Sequence, residues 1–151
     1  AMIAVAGYIN LNVPLNDEAV PATALVQDPP QEQPAEEDYY TNAKMERDSK
    51  RSEAMAVYRE LIDSKESSAE VKEKAQADLS AAAKAIEDEG EIESLMAAKG
   101  FAHAVAYVSA DDANIVVGQK ELSAAQVAQI KDIVMESTGL PAEKIKIVES
   151  E

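Results

Sequence analysis

The first forty residues differ sharply from the rest, and this asymmetry constrains the fold more than any other feature. They hold five of the six prolines and seven of the 29 acidic residues, but no lysine or arginine. A stretch of this composition buries too little apolar surface to offset the entropy lost when it becomes ordered. We therefore interpret residues 11–38 as an extended acidic linker, and we expect one compact domain over residues 39–151.

An uncharged apolar run at residues 2–9 precedes the linker. It is too short to cross a bilayer, which takes roughly 20 residues. Tyr8 lies near its end, and tyrosine is enriched at membrane interfaces, while the absence of Lys and Arg beyond the run is typical of an exported flank. We interpret residues 1–10 as the tail of a truncated transmembrane helix, with an ordinary apolar N-terminus as the alternative.

The overall charge and the cysteine count exclude several classes of function. The net charge of −15 argues against nucleic-acid binding, which needs basic side chains to displace phosphate counterions. It also disfavours docking on anionic lipid. Because the chain has no cysteine, thiolate metal sites, thiol nucleophiles and disulfides are excluded.

Two long helices are predicted to open the domain. Residues 39–63 contain no Gly or Pro and space their apolar side chains helically. A second helix is predicted to begin with a capping box formed by Ser67 and Glu70. Its apolar stripe falls out of phase at Gly90, where we expect a kink or break. The buried stripe is predicted to contain Val71, Ala75, Leu79, Ala82 and Ile86.

The second helix is predicted to end at Gly100. Glycine there can adopt the left-handed conformation of a Schellman motif, which lets Phe101 pack back on Met96. Beyond it, residues 101–109 and 114–119 are short apolar runs separated by a polar turn, which predicts a β-hairpin. Alternation divides the first strand into a face of large residues and a face of alanines, and we expect the large residues to lie under the helices.

A third helix and a last strand complete the predicted domain. Ser123 and Gln126 form a capping box, and Gly139 followed by Pro141 ends the helix. Residues 144–148 then alternate lysine and isoleucine as a half-buried strand does. The predicted fold class is α+β, an αββαβ domain with helices on one face of a three-stranded sheet, preceded by an extra long helix.

No catalytic, cofactor or metal site is predicted. His103 lacks the partners of a nucleophile relay and is interpreted as a packed or surface side chain. The acidic run of Glu87, Asp88 and Glu89 is interpreted as a solvated helix face. Asp111 and Asp112 fit an ordinary polar turn.

The order of elements also resembles KH-type RNA-binding modules. Such modules clamp the nucleic-acid backbone with a Gly-x-x-Gly loop, but no two glycines of this chain lie three residues apart. A small ligand-binding or RNA-binding domain is therefore kept as the alternative function.

The residues also resemble the exported domain of the stage III sporulation protein AH family. The resemblance covers roughly residues 39–149. It rests on the order and spacing of Tyr39, Tyr40, Met45, Glu46, Arg47, Asp48, Arg51, Ser52, Leu95, Gly100, Phe101, Val105, Asp111, Asp112, Val116, Val117, Glu121, Leu122, Gln129, Ile130, Ile133, Val134, Thr138 and Gly139.

This resemblance implies a ring-building-motif-like fold and a non-enzymatic role. Members of the family are single-pass proteins of the mother-cell membrane in endospore-forming bacteria. Their domain lies in the space between the mother cell and the forespore. The implied partner is the forespore protein stage II sporulation protein Q. Assembly into a ring or channel across the two membranes is also implied, and no cofactor is.

One face of the predicted sheet is the candidate partner-binding surface. If the helices cover the large-residue face, the opposite face is flat and lets another backbone approach closely. The alternative is that its small residues lie beneath the first helix. The candidate residues are Ala104, Ala106, Val116, Gly118, Lys144 and Lys146.

Overall fold

The computed structural model describes residues 35–150, with side chains from residue 39 onward. The predicted membrane tail, and the linker up to residue 34, lie outside the described residues. From Glu36 the chain forms one compact unit. Its elements are α1 (Ala35–Asp63), α2 (Ala69–Ala98), β1 (Ala104–Val108), β2 (Ala113–Val117), α3 (Ala124–Thr138), a short 3₁₀ turn (Ala142–Lys144) and β3 (Ile145–Glu149). None of the described helices is long and apolar enough to span a membrane.

The predicted αββαβ order with an extra long helix is confirmed. The three strands pair in chain order, with β1 antiparallel to β2 and β2 parallel to β3. Helices α2 and α3 pack on one face of this sheet, where Ile92, Met96, Ile130 and Val134 are fully buried. α1 begins at Ala35, four residues before the predicted domain boundary.

α2 differs from its prediction in two places. The cap is Ser68 rather than Ser67, because the Ser68 hydroxyl accepts a 3.2 Å hydrogen bond from the Val71 N–H. The helix also continues through Gly90, so the predicted break is wrong. Its inner stripe stays at helical spacing, but acidic side chains occupy the middle of it. The buried residues are Ala75, Ala85, Asp88, Glu89, Ile92 and Met96, whereas Val71 and Ile86, which were predicted to be buried, are 42% exposed.

The predicted C-terminus of α2 and both predicted termini of α3 are confirmed. Gly100 has φ 101°, and the Phe101 N–H donates to the Met96 carbonyl at 2.9 Å, as in a Schellman motif. At the start of α3, Ser123 and Gln126 exchange the two hydrogen bonds of a capping box, at 2.9 and 3.1 Å. Gly139 ends α3 with φ 78°.

The β1–β2 hairpin confirms the turn at Asp111 and Asp112. The Asp112 N–H donates to Ser109 Oγ at 3.1 Å, and that hydroxyl lies 2.8 Å from the Asp112 carboxylate. The Ser109 N–H closes the turn by donating to the Asp112 carbonyl at 2.9 Å. Local polar bonding thus accounts for the Asp112 carboxylate, and Asp111 contributes its backbone N–H, which donates to Ser109 Oγ at 3.2 Å.

The predicted orientation of β1 is wrong. Its alanine face points into the core, with Ala104 2% and Ala106 0% exposed. The large side chains of this core include Ile92 and Met96 of α2 and Phe101, three residues beyond the end of that helix. Because interiors are close-packed, the strand beneath those side chains has room only for small residues.

Candidate interaction surfaces

The structure separates the six predicted partner-binding residues. Ala104 and Ala106 are buried in the core, so the prediction that they form an exposed binding surface is wrong. Gly118 lies under α1, because a Cβ built on it would be 2.8 Å from Tyr40 Oη. Val116 is half-buried on the face away from α2 and α3, and Lys144 and Lys146 are exposed.

The face away from α2 and α3 contains two rows of side chains across the sheet. The register aligns Val105, Val116 and Val148 in one row and Tyr107, Asn114 and Lys146 in the other. Val105 is fully buried, whereas Tyr107 and Val148 are 37% and 39% exposed. The surface that remains open is therefore apolar at one row, and aromatic and basic at the other.

Tyr40 fastens the start of α1 to one end of the sheet. Its ring stacks on His103 with the centroids 5.7 Å apart, and its hydroxyl hydrogen-bonds with Ser150. His103 thus has the packing role that the sequence predicts. Tyr40 is 3% exposed, and it is the buried residue that α1 contributes within the described part of the chain.

The outer edge of β1 is closed by carboxylates of α2. The Ala106 N–H donates to Glu93 Oε1 at 2.9 Å, and the Val108 N–H donates to Glu89 Oε1 at 2.7 Å. A neighbouring strand would bind these same backbone groups. Glu89 and Glu93 thus replace part of a missing strand.

Arginines of α1 donate hydrogen bonds to the carbonyl groups of the same edge. Arg47 Nη1 donates to the Ala106 carbonyl at 2.6 Å, and Arg51 Nη2 lies 3.4 Å from the Val108 carbonyl. The two arginines are four residues apart, so they project from one face of the helix. We call Arg47, Arg51, Glu89 and Glu93 the edge cap.

Ion pairs join the two halves of the edge cap. Arg47 lies 2.6 Å from Glu93 and 3.3 Å from Glu89, and Arg51 pairs with Glu89. Burial raises the pKa of Glu89, although the Val108 N–H and the two arginines act in the opposite direction. Burial alone would lower the pKa of Arg47, but its hydrogen bond and ion pair with Glu93 raise it overall.

The interpretation of the acidic run as a solvated helix face conceals the edge cap. Glu89 is 0% and Asp88 7% exposed, so that interpretation is wrong for both. Two signals could have found them. The apparent phase slip of the apolar stripe falls on these acids, and Arg47 and Arg51 supply two matching charges at a spacing of four.

The opposite edge of the sheet, at β3, is open. The Ser150 N–H donates to the Val117 carbonyl at 2.9 Å, so by alternation the N–H groups of Ile147 and Glu149 point away from β2. Neither of these N–H groups is bonded to another described residue. Within residues 39–150, the side chains of Lys144 and Lys146 form no ion pair.

Comparisons with known proteins agree with this architecture. A chain of a solved structure, described as the SpoIIQ-SpoIIIAH pore forming complex, is 19% identical, with a TM-score of 0.60. The match covers 74% of this chain and 98% of that chain. A search of curated proteins gave no match. The family model of the SpoIIIAH-like protein matches residues 15–147, which confirms the resemblance seen in the sequence. The chain belongs to the SpoIIIAH-like protein family.

Proposed function

We propose that this chain is a non-enzymatic interaction module of a sporulation complex and that it binds a forespore protein of the SpoIIQ type. The observation that carries this proposal is the family match over residues 15–147. The similar solved chain comes from a complex described as containing SpoIIQ and SpoIIIAH. The match covers 98% of that chain, which supports the proposal that the two proteins expose the sheet to a partner in the same way.

The proposed binding surface is the open part of the sheet, at Val116, Lys144 and Lys146. Exposed aliphatic, aromatic and basic groups adjoin one another there, as the exposure of Tyr107 and Val148 indicates. The buried acids support a structural role rather than catalysis. Glu89 is held by two arginines, and the exposed Lys84 pairs with Asp88 at 2.6 Å.

The proposed location is the mother-cell side of the intermembrane space. A transmembrane helix whose tail is residues 1–10, and a spacer that leads from it into α1, would hold the domain there. Support comes from the apolar run at residues 2–9 and from the lack of Lys and Arg in the first forty residues. Assembly of several copies into a ring that lines a channel completes the proposal.

Isothermal titration calorimetry tests the central claim. The 151-residue chain is titrated with the extracytoplasmic SpoIIQ domain of the same organism, and saturable binding is expected. Lys146→Glu should weaken binding at least fivefold, whereas the matched charge reversal Lys65→Glu, in the α1–α2 connection, should leave it unchanged.

Absence of binding by the unaltered chain would contradict the proposed function. Saturable binding of an RNA oligonucleotide at moderate salt would instead favour the KH-like alternative. Equal affinities for the Lys146→Glu and Lys65→Glu variants would retain the function but reject the surface.

A further inference from the structure

α1 lies outside the hydrophobic core of the domain. The core residues come from α2, the three strands, α3 and Phe101, and none of the described side chains of α1 is among them. The first half of α1 is held instead by Tyr40 and by the polar contacts of Lys44, Arg47 and Arg51. The packed αββαβ unit is therefore complete without this part of the helix.

Lifting residues 39–51 would uncover the outer edge of β1. The carbonyls of Ala106 and Val108 would lose their arginine donors. Glu89 and Glu93 belong to α2 and would remain beside the edge, but water would reach their carboxylates and lower the cost of releasing the Ala106 and Val108 N–H groups to an incoming strand. The uncovered edge is therefore acidic and has two unpaired carbonyls, which makes it a site for strand addition.

The β3 edge of a second copy fits this site. Since β1 runs antiparallel to both β2 and β3, two copies in the same orientation place β3 of one antiparallel to β1 of the other. Pairing the outward-facing residues places Ala106 opposite Ile147 of the second copy. The next pairs, on the face away from α2 and α3, are Tyr107 with Lys146 and Val105 with Val148.

Each of these cross-strand pairs is favourable. Tyr107 can hold an ammonium group over its ring, and the two valines form an aliphatic contact. Lys144 and Lys146 of the second copy bring positive charge to an edge that has just lost two arginines. Pairing of two β3 edges is less favourable, because one register places Lys146 opposite Lys146 of the second copy.

We propose that residues 39–51 of α1 are a removable cover over the β1 edge, and that the uncovered edge pairs with the β3 edge of a second copy of this chain. This inference rests on the self-assembly part of the proposed function. It names the surfaces involved and the step that exposes one of them. Repeated along an array, this head-to-tail contact closes into a ring when its rotation allows.

Hydrogen–deuterium exchange of the unaltered chain tests the cover. The backbone amides of residues 39–51 should exchange at least tenfold faster than those of residues 85–96, because the cover opens without unfolding the core. Equal exchange rates in the two segments would overturn the proposal, regardless of how substituted variants sediment.

Sedimentation velocity tests the pairing. The full-length double variant Arg47→Gln/Arg51→Gln should self-associate with rising concentration, while the control Lys65→Gln/Lys74→Gln, with the same change of charge, should sediment like the unaltered chain. Adding Ile147→Pro should abolish association, because proline removes the outward N–H without breaking a bond to β2. Lys146→Glu should do the same.

The outcomes separate the inference from the proposed function. A folded double variant that stays monomeric, or one that associates regardless of Ile147→Pro, would overturn the inference. Partner titration of the unaltered chain decides the proposed function independently. If circular dichroism shows that the double variant is unfolded, Arg51→Gln alone replaces it, because Arg47 then still pairs with both carboxylates. The exchange result decides in any case.

Discussion

The Glu89 carboxylate accepts a 2.7 Å hydrogen bond from the backbone N–H of Val108, which joins the middle of α2 to the outer edge of β1. The same carboxylate pairs with Arg51 and lies 3.3 Å from Arg47. One side chain therefore connects both long helices to the sheet. It does so with no exposure to solvent, so its loss should be felt throughout the domain.

Glu89→Ala should lower the free energy of unfolding by about 3 kcal/mol, because it leaves Arg51 and a strand N–H without their partner. Urea denaturation measures the change. Glu91→Ala, at an exposed position of the same helix, is the control and should stay within about 0.5 kcal/mol. Equal effects would show that the edge cap does not hold the domain together.

The pH dependence of stability should carry the signature of Glu89. Burial raises the pKa of this carboxyl above the ordinary value that it has in the unfolded chain. Between the two values the folded state binds more protons, so this group's contribution to stability falls as pH rises. Denaturation of the unaltered chain and of Glu89→Gln at pH 4 to 7 isolates it. The unaltered chain should lose stability relative to the variant with rising pH, and the opposite trend would contradict the assignment.

The two ends of α3 should differ in sensitivity. Ser123→Ala removes the cap of the helix and should cost about 1 kcal/mol. Gly139→Val should cost more, because φ 78° strains a β-branched residue even though space for the side chain is free. Thermal melts compare both with Ser80→Ala, an exposed position within α2. A Gly139→Val variant as stable as the unaltered chain would contradict this account.

Ala104→Glu should unfold the domain, because it buries an unpaired charge in the core at a cost of several kcal/mol. Ala102→Glu, two residues earlier and exposed, is the matched control and should fold normally. Circular dichroism distinguishes the two. A folded Ala104→Glu protein would mean that the alanine face of β1 is open after all.

Removal of residues 1–34 should leave the thermal midpoint of the domain nearly unchanged, because a proline-rich acidic segment contributes few buried contacts. Differential scanning calorimetry compares residues 35–151 with the full chain. A drop of more than about 4 °C, worth roughly 1 kcal/mol in a domain of this size, would show that the segment packs on the domain.

Local signals predicted the element ends well, and long-range packing explains what they missed. Ser123 and Gly139 act within one turn of helix, so their roles follow from neighbouring residues. The buried face of β1 depends instead on the volume that α2 brings to it through Ile92 and Met96. Alternation reveals two faces, but not which of them meets the helix.

The candidate surface shows the same division. Lys144 and Lys146 follow from the alternating pattern of residues 144–148, and both are exposed as that pattern predicts, although Lys144 lies in the 3₁₀ turn before β3. Glu89 and Arg51 stand 38 residues apart in sequence, and either looks like an ordinary surface charge alone. Only the antiparallel approach of α1 and α2 shows that each neutralises the other.

The edge cap determines how many edges of the sheet are open, which polymer chemistry calls the functionality of a monomer. A three-stranded sheet with two open edges is bifunctional and can propagate without limit. In the proposed pairing, a copy with Arg47 and Arg51 in place offers only its β3 edge, so it would end a growing array. In that pairing, the two salt-bridged arginines would determine whether growth of the sheet stops or continues.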